Sequence, residues 1–225
     1  MGRPDGEGLT RAEMAEAVRR IAAVVDVPVT ADVEGGYGPE PQDVAATVRA
    51  ILGAGAVGAN IEDSRAGDGS LYAPEEQGRR LREAREAAIA FGVPEFVLNA
   101  RTDVFLFQIG DPAGRLDDVL ARADEYAKAG ADVLFVPGLL DLATLESLTA
   151  SSPLPINAMA GPGGPSVAEL NDVGVRRISV GTGIAQAAYG VAQRAARELL
   201  DAGIYPAQDG AISYPELNAL FSTAR

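Results

Sequence analysis

Three short stretches hold the side chains best suited to chemistry. The first is Val27-Pro28-Val29-Thr30-Ala31-Asp32-Val33-Glu34-Gly35-Gly36-Tyr37-Gly38. Val27, Val29, Ala31 and Val33 alternate with Thr30, Asp32 and Glu34, so one strand face is apolar and the other carries two carboxylates. Buried carboxylates are costly unless something binds them. Asp32 and Glu34 are therefore candidate ligands of a divalent metal. The glycines that follow let the backbone turn sharply and come close to a ligand, which makes Gly36 a candidate substrate contact. Tyr37, on the same loop, is a candidate general acid. The second stretch, Asn60-Ile61-Glu62-Asp63, puts Asn60 and Glu62 on one face and Asp63 on the other, where a structural role is expected. The third, Asn99-Ala100-Arg101-Thr102-Asp103, puts Arg101 between Asn99 and Asp103 on one face, a fork suited to a carboxylate.

What is missing narrows the chemistry. The 225 residues include no cysteine and no histidine, so thiolate and imidazole cannot act as ligand, base or nucleophile. Zinc is a poor fit for that inventory. The one lysine, Lys128, falls near the end of a predicted surface helix and is a poor Schiff-base candidate. What remains is carboxylate, guanidinium, hydroxyl and backbone working with a hard cation. Magnesium suits that set, with manganese as the alternative. The net charge of −13 has no basic cluster to offset it, which argues against nucleic acid and anionic membranes as partners. No apolar run approaches the roughly 20 residues of a membrane helix, and no signal-like apolar core follows Met1. The expected location is the cytoplasm.

The elements that must position these residues alternate. Helices are predicted over 9–25, 41–52, 74–91, 111–129, 142–148, 166–173, 184–200 and 214–220. Strands are predicted over 27–33, 59–63, 96–102, 133–136, 155–159 and 177–180. A helix closing on glycine before a strand recurs at Gly55, Gly92, Gly130 and Gly174. The arginine-rich run 79–85 reads as a solvated face pairing with Glu83 and Glu86. Strict β–α alternation implies a parallel sheet with right-handed crossovers, either doubly wound or closed into a barrel. Polar residues near the C-terminal ends of several strands favour a (β/α)8 barrel, and no dinucleotide fingerprint supports the alternative. Six strands are recognisable where a closed barrel has eight, so the expectation is a single domain over 1–225, shortened at its N-terminal end. An upstream extension of roughly 50 residues would restore the usual size.

The three motifs, in this order, resemble the isocitrate lyase/phosphoenolpyruvate mutase superfamily, and the similarity runs over essentially the whole chain, including Pro4-Asp5-Gly6-Glu7. The resemblance implies a magnesium-dependent barrel acting on small 2-oxo or 2-hydroxy carboxylates through an enolate. It implies that Asp32, Glu34 and Glu62 belong to the metal site and that Asp5 helps order the metal's waters. It also implies that Arg101 and Asn157 contact the substrate. Dimers or tetramers that exchange a C-terminal helix are expected from it. The lysine- and cysteine-bearing loop of the isocitrate and methylisocitrate lyases is replaced here by Ser64-Arg65-Ala66-Gly67-Asp68-Gly69-Ser70-Leu71-Tyr72, which makes those two activities improbable. The expected activity is carbon–carbon bond cleavage or formation. A phosphonopyruvate- or phosphoenolpyruvate-type mutase or hydrolase is the first alternative, and a catalytically silent, shortened member is the second.

Overall fold

A computed structural model describes residues 2–222. Helix α1, Arg11–Ala22, starts where Thr10 and Glu13 form a capping box. Thr10 is its cap and Ala23 closes it, so the helix is shorter than the 9–25 reading. Strand β1 is Val29–Asp32; Pro28, with no N–H to give a ladder, stays outside it. Then follow α2 Pro41–Leu52, β2 Ala56–Glu62, α3 Pro74–Phe91 and β3 Val97–Arg101. Proline opens both α2 and α3, where a missing N–H costs nothing. The predicted helix 111–129 divides in two. Asp111 caps a short 3-10 turn, Pro112–Gly114, and α4 runs Arg115–Lys128. The series continues with β4 Val133–Val136, α5 Leu142–Ser151, β5 Ile156–Met159, α6 Val167–Asp172 and β6 Arg177–Ser179.

All six strands are parallel and lie in the sheet in chain order. The sheet is curled, because Arg177 on the last strand reaches to 3.5 Å from the Thr30 hydroxyl on the first. This is a barrel-type fold with six strands. Its core lies between the outer sheet face and the helices. Ile61, Leu98, Ala100 and Leu134 are buried there against Val48, Leu81, Val119 and Leu145. Each such side chain contributes roughly 1.5–3 kcal/mol. The four glycines that end helices, Gly55, Gly92, Gly130 and Gly174, all have positive φ, as a left-handed cap before a strand requires.

The inner face is polar. Register places Asp32 beside Asn60, Asn60 beside Asn99, and Glu62 beside Arg101. Arg101 then neighbours Phe135, Phe135 neighbours Asn157, and Asn157 neighbours Arg177.

The chain divides into two compact units, Met1–Ser179 and Val180–Arg225. The second holds α7, Gly183–Ala202, and α8, Tyr214–Ser222. No residue of α7 is buried. Ile184, Tyr189 and Leu200 are 74%, 78% and 83% exposed, and Tyr214 and Phe221 of α8 are exposed as well. Among the described residues no helix is long and apolar enough to cross a membrane.

Candidate active site

Arg101 is the centre of the site. It ends β3, and its guanidinium meets carboxylates from its own strand end and from both preceding strands. Nη1 lies 2.9 Å from Glu62 and 3.7 Å from Asp32, while Nε donates to Asp103 at 2.7 Å. Asp32 and Glu62 thus face a single nitrogen from neighbouring strands. Asp103 is fully buried, Arg101 and Glu62 are partly buried, and half of the Asp32 side chain meets solvent. Burial pushes the Glu62 carboxyl up to about 7, against the opposing pull of Arg101 and of the Ser64 hydroxyl.

Beside this cluster is a cavity of about 270 Å³ at the C-terminal ends of the strands. Asp5, Glu7, Glu34 and Glu62 give it acid, Arg65 and Arg101 give it positive charge, and Phe107 adds an apolar wall.

Glu34 sits in a left-handed conformation (φ 51°) and Tyr37 in another (φ 61°), on either side of Gly35 and Gly36. Non-glycine residues hold such backbone only where the surroundings fix it. The fixing groups are visible. Glu34 Oε2 accepts the N–H of Gly6 at 2.8 Å and that of Glu7. Glu7 returns a carboxylate to the N–H of Tyr37 at 2.7 Å. Arg80, in α3, is 1% exposed and donates to the carbonyls of Gly35, Gly38 and Pro39. Thr47 donates to the Gly36 carbonyl at 2.7 Å and Arg11 to that of Tyr37 at 3.1 Å.

The sequence-based assignments divide accordingly. Asp5, Glu34, Glu62 and Arg101 share the cavity, and Asp32 joins them through Arg101. Glu34, expected to face a metal, has one oxygen committed to two backbone N–H groups. Gly36, expected to contact substrate, is instead a turn residue with φ 101° packed on Val44, and Gly35 takes its place on the cavity wall. Tyr37, the candidate general acid, is off the cavity wall, and its hydroxyl is buried without a hydrogen-bond partner among the described residues. Burial, with the negative charge of Glu34 and Glu7, holds that hydroxyl well above its ordinary pKa. Asn157 is fully buried, pairs with the Ser179 hydroxyl at 3.0 Å and does not line the cavity. Asp63 is structural, as expected. It accepts from Arg122 at 2.9 Å, from the Tyr126 hydroxyl at 2.8 Å and from the N–H of Asp103 at 3.0 Å.

Sequence reasoning overlooked Glu7, Arg65 and Arg80. Arg80 is no part of a solvated face. It falls on the buried stripe Gln77, Leu81, Ala84 and Ala88 at helical spacing, and that spacing was the available signal.

Among the described residues no group of three or more acidic side chains is set to hold a metal ion. The donor chemistry nevertheless suits a hard cation. Every candidate donor is an oxygen, and the Arg101 guanidinium already stands as a cation between Asp32 and Glu62. Magnesium commonly uses only one or two carboxylates and keeps several waters.

Fold and site together define a barrel-type α/β protein with an acidic, arginine-centred mouth. A model of the phosphoenolpyruvate phosphomutase family matches residues 1–200. The chain belongs to that family, within the PEP mutase/isocitrate lyase superfamily. An uncharacterised protein of Mycobacterium tuberculosis is 35% identical over 219 residues, 97% of this chain and 78% of that protein. An oxaloacetate decarboxylase of Rhodopseudomonas palustris is 34% identical over 176 residues, 76% of this chain but 57% of the decarboxylase. A solved 2,3-dimethylmalate lyase is 26% identical with a TM-score of 0.81, covering 98% of this chain and 77% of its own.

Proposed function

We propose that the protein is a magnesium-dependent lyase that cleaves or forms a carbon–carbon bond in a small 2-oxo or 2-hydroxy carboxylate. The observation that carries this reading is the Arg101 guanidinium at the strand ends, shared by Asp32 and Glu62 on the wall of a cavity. Support comes also from relatives that include an oxaloacetate decarboxylase and a 2-methylisocitrate lyase.

Asp32 and Glu62 would hold the ion, with Asp5 and Glu34 on the nearby wall placed for its waters. Manganese would serve in the same place. When bound, the ion supplies Lewis-acid stabilisation of the negative charge that develops on the substrate oxygens. Arg101 binds the substrate carboxylate through its planar fork. The 64–72 loop shields the mouth from water; its ends are drawn together by the pairing of Ser64 with Leu71.

A thermal melt with magnesium tests the metal. The ion should raise the melting temperature of the native protein, because a ligand bound only by the folded state stabilises it. Asp32→Ala should abolish that rise. A turnover panel of small 2-oxo acids tests the reaction, with oxaloacetate set against phosphonopyruvate. Turnover of phosphonopyruvate alone would support a mutase or hydrolase, the second reading, which the family match favours. No turnover and no magnesium shift would leave a catalytically silent member, a reading motivated by the six-stranded sheet.

The reading includes a homo-oligomer, a dimer or tetramer. Its support is the exposed apolar residues of α7 and α8. A cytoplasmic location belongs to the same reading, in keeping with the absence of a membrane-crossing helix among the described residues. Cell fractionation tests it.

A further inference from the structure

We propose that Asp63, Arg122 and Tyr126 are positioning residues that set the Arg101 guanidinium through Asp103, although none of the three lines the cavity. What Arg101 binds belongs to the lyase reading above; how it is held does not depend on that reading.

Arg101 is aimed by Asp103. The Asp103 carboxylate takes both Nε, at 2.7 Å, and Nη2, at 3.2 Å, which fixes the plane of the guanidinium and turns Nη1 to Glu62 and Asp32. Asp103 is held in turn by Asp63, which follows the neighbouring strand. Asp63 Oδ1 accepts the Asp103 N–H at 3.0 Å, and the Asp63 N–H donates to the Arg101 carbonyl at 3.1 Å. Asp63 thus grips the backbone on both sides of Thr102. Its Oδ2 accepts from Arg122 Nη1 at 2.9 Å and from the Tyr126 hydroxyl at 2.8 Å, both on α4. The three groups bonded to this carboxylate are all donors, which favours its ionised form. Asp63, Asp103 and Tyr126 are fully buried and Arg122 is 6% exposed. The contacts therefore run from α4 across two strand ends to the cavity wall, almost wholly out of water.

A charge pair buried this deeply is a weak source of stability, because desolvation takes back most of the attraction. An apolar filling of the same volume would hold α4 to the sheet as well. What it would not supply is direction, which a network with every partner fixed does. Arg122 Nη1 also donates to the Tyr72 carbonyl at 2.9 Å, so Arg122 supports the 64–72 loop too. The Tyr126 hydroxyl meets Asp63 and, at 3.4 Å, Arg122, and no atom of that loop among the described residues. Tyr126→Phe therefore separates the two roles.

The Arg101 Nε–H is followed by NMR on the full chain carrying isotopically labelled arginine, its resonance identified by its loss in Arg101→Lys. Tyr126→Phe should make that proton exchange with water about 10-fold faster, the low end for losing a hydrogen bond to a charged group. Pyruvate, titrated by calorimetry in excess magnesium, should bind more weakly by a similar factor. Arg122→Lys, a second variant that keeps the charge but not the fork, should act in the same direction. Leu170→Ala, which opens a cavity in the core under α6, is the control. It should lower the melting temperature at least as far as Tyr126→Phe does and leave the Arg101 resonance and its exchange unchanged. An Arg101 signal unmoved in both Tyr126→Phe and Arg122→Lys, or moved as much by Leu170→Ala, would overturn the proposal and make the three residues supports of the fold alone. Wild-type protein that binds no pyruvate would instead overturn the carboxylate role of Arg101 and with it the lyase reading, while the resonance would still decide the positioning.

Discussion

At the scale of single residues, Glu62 and Arg101 govern the site. The two lie side by side on paired strands, 2.9 Å apart, yet burial raises the Glu62 carboxyl from its ordinary 4.5 to about 7. The folded protein therefore binds this proton more tightly than the unfolded chain does. The stability it contributes is fully present below 4.5 and is lost as the pH rises through 7. In metal-free protein the melting temperature should carry a decline from this group across that interval, and Glu62→Gln should flatten it. Arg101 provides a second test. Its guanidinium occupies the place between Asp32 and Glu62 that a metal would share. Arg101→Met should bind magnesium more tightly than the wild type, by calorimetry, while losing affinity for small carboxylates. Weaker magnesium binding would show that ion and guanidinium do not compete.

At the scale of elements, the 35–39 loop is held by helices distant in the chain. Arg80 reaches it from α3, and Arg11 and Thr47 reach it from α1 and α2. Arg80 makes no ion pair among the described residues, so its charge is balanced by three carbonyls and the Tyr72 ring. Arg80→Met would take its donors from the buried Gly35 carbonyl and from the more exposed carbonyls of Gly38 and Pro39. We expect a loss of about 3 kcal/mol in urea denaturation, from the roughly 1–3 kcal/mol cost of each unsatisfied group. The magnesium-induced shift should shrink too, because the loop that follows Asp32 would no longer be fixed. Gly36→Ala acts at the same place by another route. It puts a methyl 3.0 Å from Val44 Cγ2 at φ 101°, and should cost about 1 kcal/mol or more by the same measurement.

At the scale of the whole molecule, the first unit has a continuous core, whereas α7 has no buried residue along its length. A helix of that kind depends on tertiary or quaternary packing for its stability. Light scattering should therefore report a mass above that of one chain. Tyr189→Glu or Leu200→Glu, each placing a charge on the exposed apolar surface, should shift the protein towards monomer.

The sequence by itself determined the order of elements, the six parallel strands and the side of each strand that carries polar groups. It could do so because period-two alternation, helical spacing, proline openings and glycine caps are local, each fixed by neighbours within a few residues. It also marked Asp32, Glu62 and Arg101, since strands in register bring their ends together. Only the tertiary structure decided how these groups are used. Glu34 reaches Gly6, Glu7 reaches Tyr37 and Arg80 reaches Gly35 across 28, 30 and 45 residues of chain. No periodicity encodes such pairings; they depend on which donor is left unsatisfied when distant segments pack. For the same reason Tyr37 and Asn157, chemically apt in the sequence, do not line the cavity, while Arg65 forms part of its wall and Arg80, in a run that read as a solvated face, supports the loop beside it.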